Sequence, residues 1–169
     1  MNVPSMDKIM NEIKPLITGK NILDIGTGFG TVIKALIQNN DINITSIDPE
    51  AWSFDELKNT FIDEIYKNKL KLLKISIEEN TFKNNQFSSS ISLFSAHHFN
   101  DKIKAMNEIN RITEKSIIIA DWTDKSSGIS NPHKPDELKA SMDIIIDYTL
   151  DNGYTVKNNK LWYLVYKIK

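Results

Sequence analysis

The chain has no cysteine among its 169 residues. That removes disulfides, thiolate metal sites and cysteine nucleophiles. Arginine is nearly absent too, since of 21 basic residues only Arg111 carries a guanidinium. Planar, bidentate phosphate recognition favours arginine over lysine. A formal net charge of −1 adds no electrostatic footprint for nucleic acid. No segment approaches the roughly 20 apolar residues needed to cross a bilayer. The opening stretch MNVPSMDKIMNEIK has no long apolar run behind a basic flank, so no signal peptide is expected. The expectation is a cytoplasmic protein without membrane or nucleic-acid partners, folded as one domain over residues 1–169.

Glycine is scarce as well, with six in all. Three of them, Gly26, Gly28 and Gly30, nevertheless fall within five positions of NILDIGTGFGTVIKAL. Glycine weakens strands and helices alike, so the cluster points to a turn where the backbone comes close to something.

Hydrophobic periodicity sets the elements around that turn. Asn21 to Ile25 reads as a buried strand, and Val32, Ile33, Leu36 and Ile37 recur at helical spacing. Further strands are expected at Ile42–Asp48, Leu70–Ile75, Ser88–Phe94 and Ser116–Asp121. Serine is an unusual choice for a central strand such as Ser88–Phe94. Phe54, Leu57, Phe61 and Ile65 mark a helix, as do Ile103, Met106, Ile109 and Ile112. A last helix begins near Pro135, where proline is tolerated in a first turn. The chain closes on two alternating runs around Asn158 and Asn159, a hairpin signal. Before the first strand, an amphipathic helix over about 5–17 has Ser5 as its expected cap. Strand and helix alternating in this way predict an α/β fold: a Rossmann-like, doubly wound, mostly parallel sheet with a C-terminal antiparallel hairpin strand.

A Gly-rich turn that leaves the first strand and opens a helix sets backbone amides against a polar ligand. The dinucleotide fingerprint is G-x-G-x-x-G, but here the third glycine arrives one residue early. The stretch ILDIGTGFG, with Asp48 about 20 residues on, resembles the first motif of class I S-adenosylmethionine-dependent methyltransferases. The runs LLKISIEENTF, QFSSSISLFSAHHFND and MNEINRITEKSIIIADWTD extend the similarity to the small-molecule branch of that family. The resemblance implies a seven-stranded fold with S-adenosyl-L-methionine as cofactor. It implies that the donor is held by Asp24, Gly26, Thr27, Gly28, Gly30, Asp48, Pro49, Ser76, Ile77 and Leu93, with Asp48 on the ribose hydroxyls. Ser76 stands where the family commonly has an adenine-contacting acid, and Ser88 where its fourth strand usually opens with an Asp.

For catalysis, the candidates are His97 and His98 after the fourth strand and Asp121 at the end of the fifth. All three lie on the lip where open α/β sheets bind ligands. A second reading stands beside each: a helix cap or packing group for the histidines, and a loop cap for Asp121. His133, in TDKSSGISNPHK, belongs to a segment suited either to cover an acceptor or to lie in solvent. No N/D-P-P-Y/F segment follows the fourth strand, which disfavours nucleobase and glutamine acceptors. A small-molecule acceptor is expected, and no metal is assigned. The chain is short, so its acceptor pocket must come from the N-terminal helix, the loop after Asp121 or a second copy of the chain. The alternatives are a non-catalytic donor-binding partner subunit and an RNA or protein methyltransferase.

Overall fold

The computed structural model describes residues 5–129 and 132–169. Ser130 and Asn131, in the segment read as a cover, lie outside the described residues. The chain forms one seven-stranded sheet in the order β3-β2-β1-β4-β5-β7-β6. Its strands are β1 (Asn21–Ile25), β2 (Asn43–Ile47), β3 (Leu70–Leu73), β4 (Phe87–Leu93), β5 (Thr113–Trp122), β6 (Thr155–Asn158) and β7 (Trp162–Ile168). The first five pair in parallel, and β7 runs antiparallel between β5 and β6. The hairpin therefore supplies both the outermost strand, β6, and the strand next to it. The strand order reverses between β1 and β4, which is where open sheets of this kind bind ligands.

Two cores follow from strand alternation. Ile22, Ile118 and Ala120 point to one face, and Leu23, Ile117 and Ile119 to the other. The first face is covered by α1 (Met6–Ile13), α2 (Thr31–Leu36) and α3 (Phe54–Thr60) through Ile9, Ile13, Ile33 and Leu57. A short α4 (Ile62–Tyr66) follows. The second face packs against α5 (Lys102–Ile112) and α6 (Pro135–Asp151) through Met106, Ile109 and Ile145. At about 1.5–3 kcal/mol for each fully buried aliphatic side chain, these layers dominate the stability of the sheet.

Three local outcomes differ from simple periodicity. The N-terminal helix is capped by Ser5, whose hydroxyl accepts from Lys8 N, but it ends at Ile13 and continues as a 3-10 turn, Lys14–Leu16, at Pro15. Phe54 to Ile65 is two helices rather than one, broken at Phe61 (φ −116°, ψ 35°). Phe61 is still buried against the core, so the apolar spacing survives the break. In β4, Ser88, Ser89, Ser90 and Ser92 are all buried. Their hydroxyls are paired: Ser88 with Asn21, Ser89 with Thr18 and Ser116, Ser90 with Thr113, and Ser92 with Ser95. Buried hydroxyls are tolerated when bonded in this way.

Candidate functional site

The carboxyl ends of β1, β2 and β4 open into a cleft of about 670 Å³, within the range of small-molecule sites. The glycine turn forms its floor. Gly26 has φ +83°, and a Cβ there would lie 2.3 Å from the Ser95 side chain. Ser95 itself donates to Ile25 O at 2.7 Å, which ties the end of β4 to the end of β1. Gly28 has φ +49°, yet the nearest atom to an added Cβ would be Gly26 O at 4.0 Å. Its missing side chain leaves open space on the cleft wall.

Asp48, at the end of β2, fixes the turn from the other side. Its Oδ2 accepts Gly28 N at 3.2 Å, and its Oδ1 accepts Glu50 N and Ala51 N at 2.9 and 3.1 Å. A carboxylate offers about four acceptor positions, so one remains on Oδ2 for a ligand. Ser53 closes the loop by donating to Gly28 O at 2.6 Å.

Asp24 lies behind the turn rather than on the cleft wall. It is 1% exposed, Ser46 donates to its Oδ2 at 2.7 Å, and its Oδ1 has no partner among the described residues. Burial pushes its pKa up to about 7, with the Ser46 bond opposing and the Asp48 charge adding a little. The Thr27 hydroxyl extends this chain, 2.6 Å from Ser46 Oγ.

Of the residues expected to hold the donor, Gly26, Thr27, Gly28, Asp48, Pro49, Ser76, Ile77 and Leu93 line the cleft. Asp24 and Gly30 do not. Gly30 instead opens α2, at φ +75°. Several wall residues escaped the sequence reading. Phe29 and Trp52 form an edge-on pair with centroids 4.6 Å apart at the rim, both well exposed. An aromatic inside a glycine turn was the available signal for Phe29. Glu78 also lines the cleft, two residues after Ser76, and its Oε1 accepts Asn100 N at 2.8 Å. Met6 of α1 reaches the wall too, so the N-terminal helix does contribute.

The other end of the cleft is built by side chains. After β4, a 3-10 turn (Ala96–His98) lies over the end of β5. Asp121 is fully buried there, and its Oδ2 accepts His97 N at 2.6 Å. Its Oδ1 accepts Trp122 N at 2.8 Å and meets His97 Nδ1 at 2.7 Å. Carboxylate oxygens only accept, so Nδ1 of His97 carries the proton of this bond and Nε2 is the ring nitrogen turned away from Asp121. His98 lines the cleft, whereas His97 and Asp121 stand one layer behind it. Partial desolvation first, and then the neighbouring His97 and His133, hold the His98 pKa below its ordinary value, although part of the ring stays exposed. Trp122 stacks on Phe94 at 3.8 Å under this end. Tyr163, opposite Asp121 in the β5–β7 ladder, is buried with no partner for its hydroxyl among the described residues.

The profile of the methyltransferase-domain family matches residues 23–119, more than half of the chain. No curated protein matches it in sequence. Among solved structures, a SAM-dependent methyltransferase from Aquifex aeolicus is 19% identical with a TM-score of 0.71, over 96% of this chain and 88% of its own. One from Mesorhizobium loti is 10% identical with a TM-score of 0.74, over 98% of this chain and 100% of its own. Magnesium protoporphyrin IX methyltransferase from Synechocystis, with bound SAM, is 14% identical with a TM-score of 0.64, over 97% of this chain and 77% of its own. At such identities the likeness is one of fold. The Gly28 wall, open where a side chain would intrude, and the spare acceptor position on Asp48 fit the same cofactor. With the glycine turn, the sheet order and the family profile in agreement, the chain belongs to the class I methyltransferase-domain family, whose methyl donor is S-adenosylmethionine.

Proposed function

We propose that the chain transfers a methyl group to a small-molecule acceptor by in-line displacement at the β4–β5 end of the cleft. Bound S-adenosylmethionine supplies an electrophilic methyl on its sulfonium. The chain's own work is to align and enclose. Asp48 offers its remaining acceptor position to a ribose hydroxyl, while Gly26, Thr27, Gly28 and Pro49 let the backbone approach the donor. Ser76, Ile77 and Leu93 take the adenine side, with Glu78 beside them. Holding the acceptor in line is worth on the order of 7–11 kcal/mol for well-oriented reactants. His98 presents a neutral imidazole at the acceptor end, and Asp121 holds the turn that carries it.

One observation carries the small-molecule reading: among the described residues no lysine or arginine lines the cleft, and the charged carboxylates on its wall are Asp48, Glu50 and Glu78. A cleft without lysine or arginine offers no counter-charge to a polyphosphate chain, which supports a small acceptor over nucleic acid. The test is a screen of small amines, hydroxyl compounds and thiols with isotopically labelled donor, run beside filter retention of RNA and duplex DNA. Turnover of a small acceptor with no nucleic-acid retention at physiological ionic strength is expected. Tight RNA binding that weakens steeply with salt would shift the reading to an RNA-modifying enzyme. Donor binding without turnover of any acceptor would make the chain a donor-binding partner subunit.

A further inference from the structure

The three histidines of this chain are its whole complement, and they meet. His97 and His98 come from the turn after β4, and His133 comes from the segment ahead of α6, more than thirty residues on. Their ring centroids are 4.1 Å (His97–His98), 4.7 Å (His97–His133) and 4.8 Å (His98–His133) apart. One nitrogen from each ring lies within 4.8 Å of the other two. We propose that His97, His98 and His133 bind a single divalent transition-metal ion of the zinc class at the acceptor end of the cleft, leaving one coordination position open.

Asp121 supplies the second, independent observation. Its buried carboxylate grips both the backbone N–H and the Nδ1–H of His97. Metal-binding histidines are typically oriented in this way, with one ring N–H given to a carboxylate so that the opposite nitrogen faces the ion. The His97 ring is mostly buried and held in place, while His98 is exposed and His133 half-buried. One ligand is thus set and two can adjust. The segment of His133 is itself anchored, because Ser127 donates to the His133 carbonyl at 2.6 Å.

The fit can be checked against coordination geometry. Zinc–nitrogen bonds of about 2.0–2.1 Å in a tetrahedron put the nitrogens about 3.4 Å apart. The nitrogens, at up to 4.8 Å, must close by about 1.4 Å at most, which is within the reach of side-chain rotation. Ligand type then selects the ion. A set of imidazoles with no carboxylate ligand suits zinc, cobalt, nickel or copper and disfavours magnesium and calcium. Three protein ligands leave a position for water or another exchangeable donor, the arrangement of reactive rather than purely structural zinc sites. Because His98 belongs both to the trio and to the cleft wall, that position is beside the acceptor. Adjacent histidines and a distant third match no metal-ligand spacing, so only the fold brings this trio to light.

This inference concerns metal binding alone, so it is tested without any acceptor. Protein stripped with a chelator is titrated with zinc by calorimetry, and separately with cobalt(II), whose visible absorption reports four-coordinate geometry. One ion per chain is expected, with intense cobalt bands in the visible and no competition from excess magnesium. His98→Ala and His133→Ala, both checked for folding by circular dichroism, should each weaken zinc binding at least about tenfold. His133→Asn serves as the second variant at that position if the alanine form misfolds. Absence of saturable zinc binding by the parent chain overturns the proposal. So does binding of unchanged affinity in a folded variant at either position.

Discussion

The two ends of the cleft are built in opposite ways. The end at the glycine turn is a stretch of backbone pinned in place: Gly26 N donates to Ile47 O, Gly28 N to the Asp48 carboxylate, and the Ser53 hydroxyl to Gly28 O. The other end is made of side chains from three separate segments: the pairing of β4 with β5 brings His97 and His98 to Asp121, and the stretch ahead of α6 adds His133. A backbone-built end tolerates almost any sequence outside a few glycines and one acid. A side-chain-built end can change with each residue placed there.

Substitutions can sharpen or break this contrast. The largest effect is expected at Gly26. Replacement by alanine combines left-handed backbone strain with a clash against Ser95, and should lower stability by about 2–5 kcal/mol. Gly28→Ala meets no neighbour, so only the backbone strain of about 1–2 kcal/mol applies. Denaturant unfolding that gives equal losses for the two would refute the packing argument.

Next in size is the pH response of Asp24, whose folded pKa is raised from 3.8 to about 7. The folded state holds a proton that the unfolded state has released across that window. Stability should therefore fall as pH rises from about 4 to about 7, by on the order of a few kcal/mol, and level off above. Asp24→Asn cannot ionise and should lack this slope. Parallel pH–stability curves for parent and variant would remove Asp24 as the cause.

Asp48→Ala should weaken S-adenosylmethionine binding at least about tenfold, roughly 1.4 kcal/mol, and NAD should not bind the parent chain. Unchanged donor affinity in a folded Asp48→Ala variant would take this carboxylate out of the donor site. The smallest effect is expected across the divide. His133→Ala should leave donor affinity within about twofold, as a change remote from the donor does. A loss as large as that at Asp48 would show that the two ends are energetically one site.

The same contrast explains what could be read in the chain. The β1 strand and its turn were legible because strand, acid and glycines are consecutive, and the carboxylate at 48 lies at a fixed topological offset. The hairpin was legible from alternation, and so was its place at or near an edge of the sheet; that β7 rather than β6 pairs with β5 was not, because pairing order is a tertiary property. The break at Phe61 left no trace in the apolar spacing, since the residue stays buried across it. Serines in β4 looked unsuited to a central strand until their hydroxyl partners, Thr18, Thr113 and Ser116, were in place. Glu78 on the cleft wall was missed because it stands two residues beyond Ser76, the position at which an acid was sought. Histidine convergence could not be read at all, because His133 reaches the trio through the fold and not through spacing.

The serine-filled strand has a consequence for how the chain reaches its native state. Parallel sheets form slowly because their contacts are distant in sequence, so the central strands remain unpaired for part of folding. The segment SIIIADW of β5 is the kind of apolar, β-branched stretch that nucleates intermolecular cross-β pairing. Its partner FSSSISL is far less hydrophobic, and its hydroxyls find their complementary groups on Thr18, Asn21, Ser95, Thr113 and Ser116 of the same chain. Self-association of β4 between two half-folded molecules leaves those hydroxyls without their native partners. The most central strand of the sheet thus acts as a gatekeeper beside its most aggregation-prone neighbour.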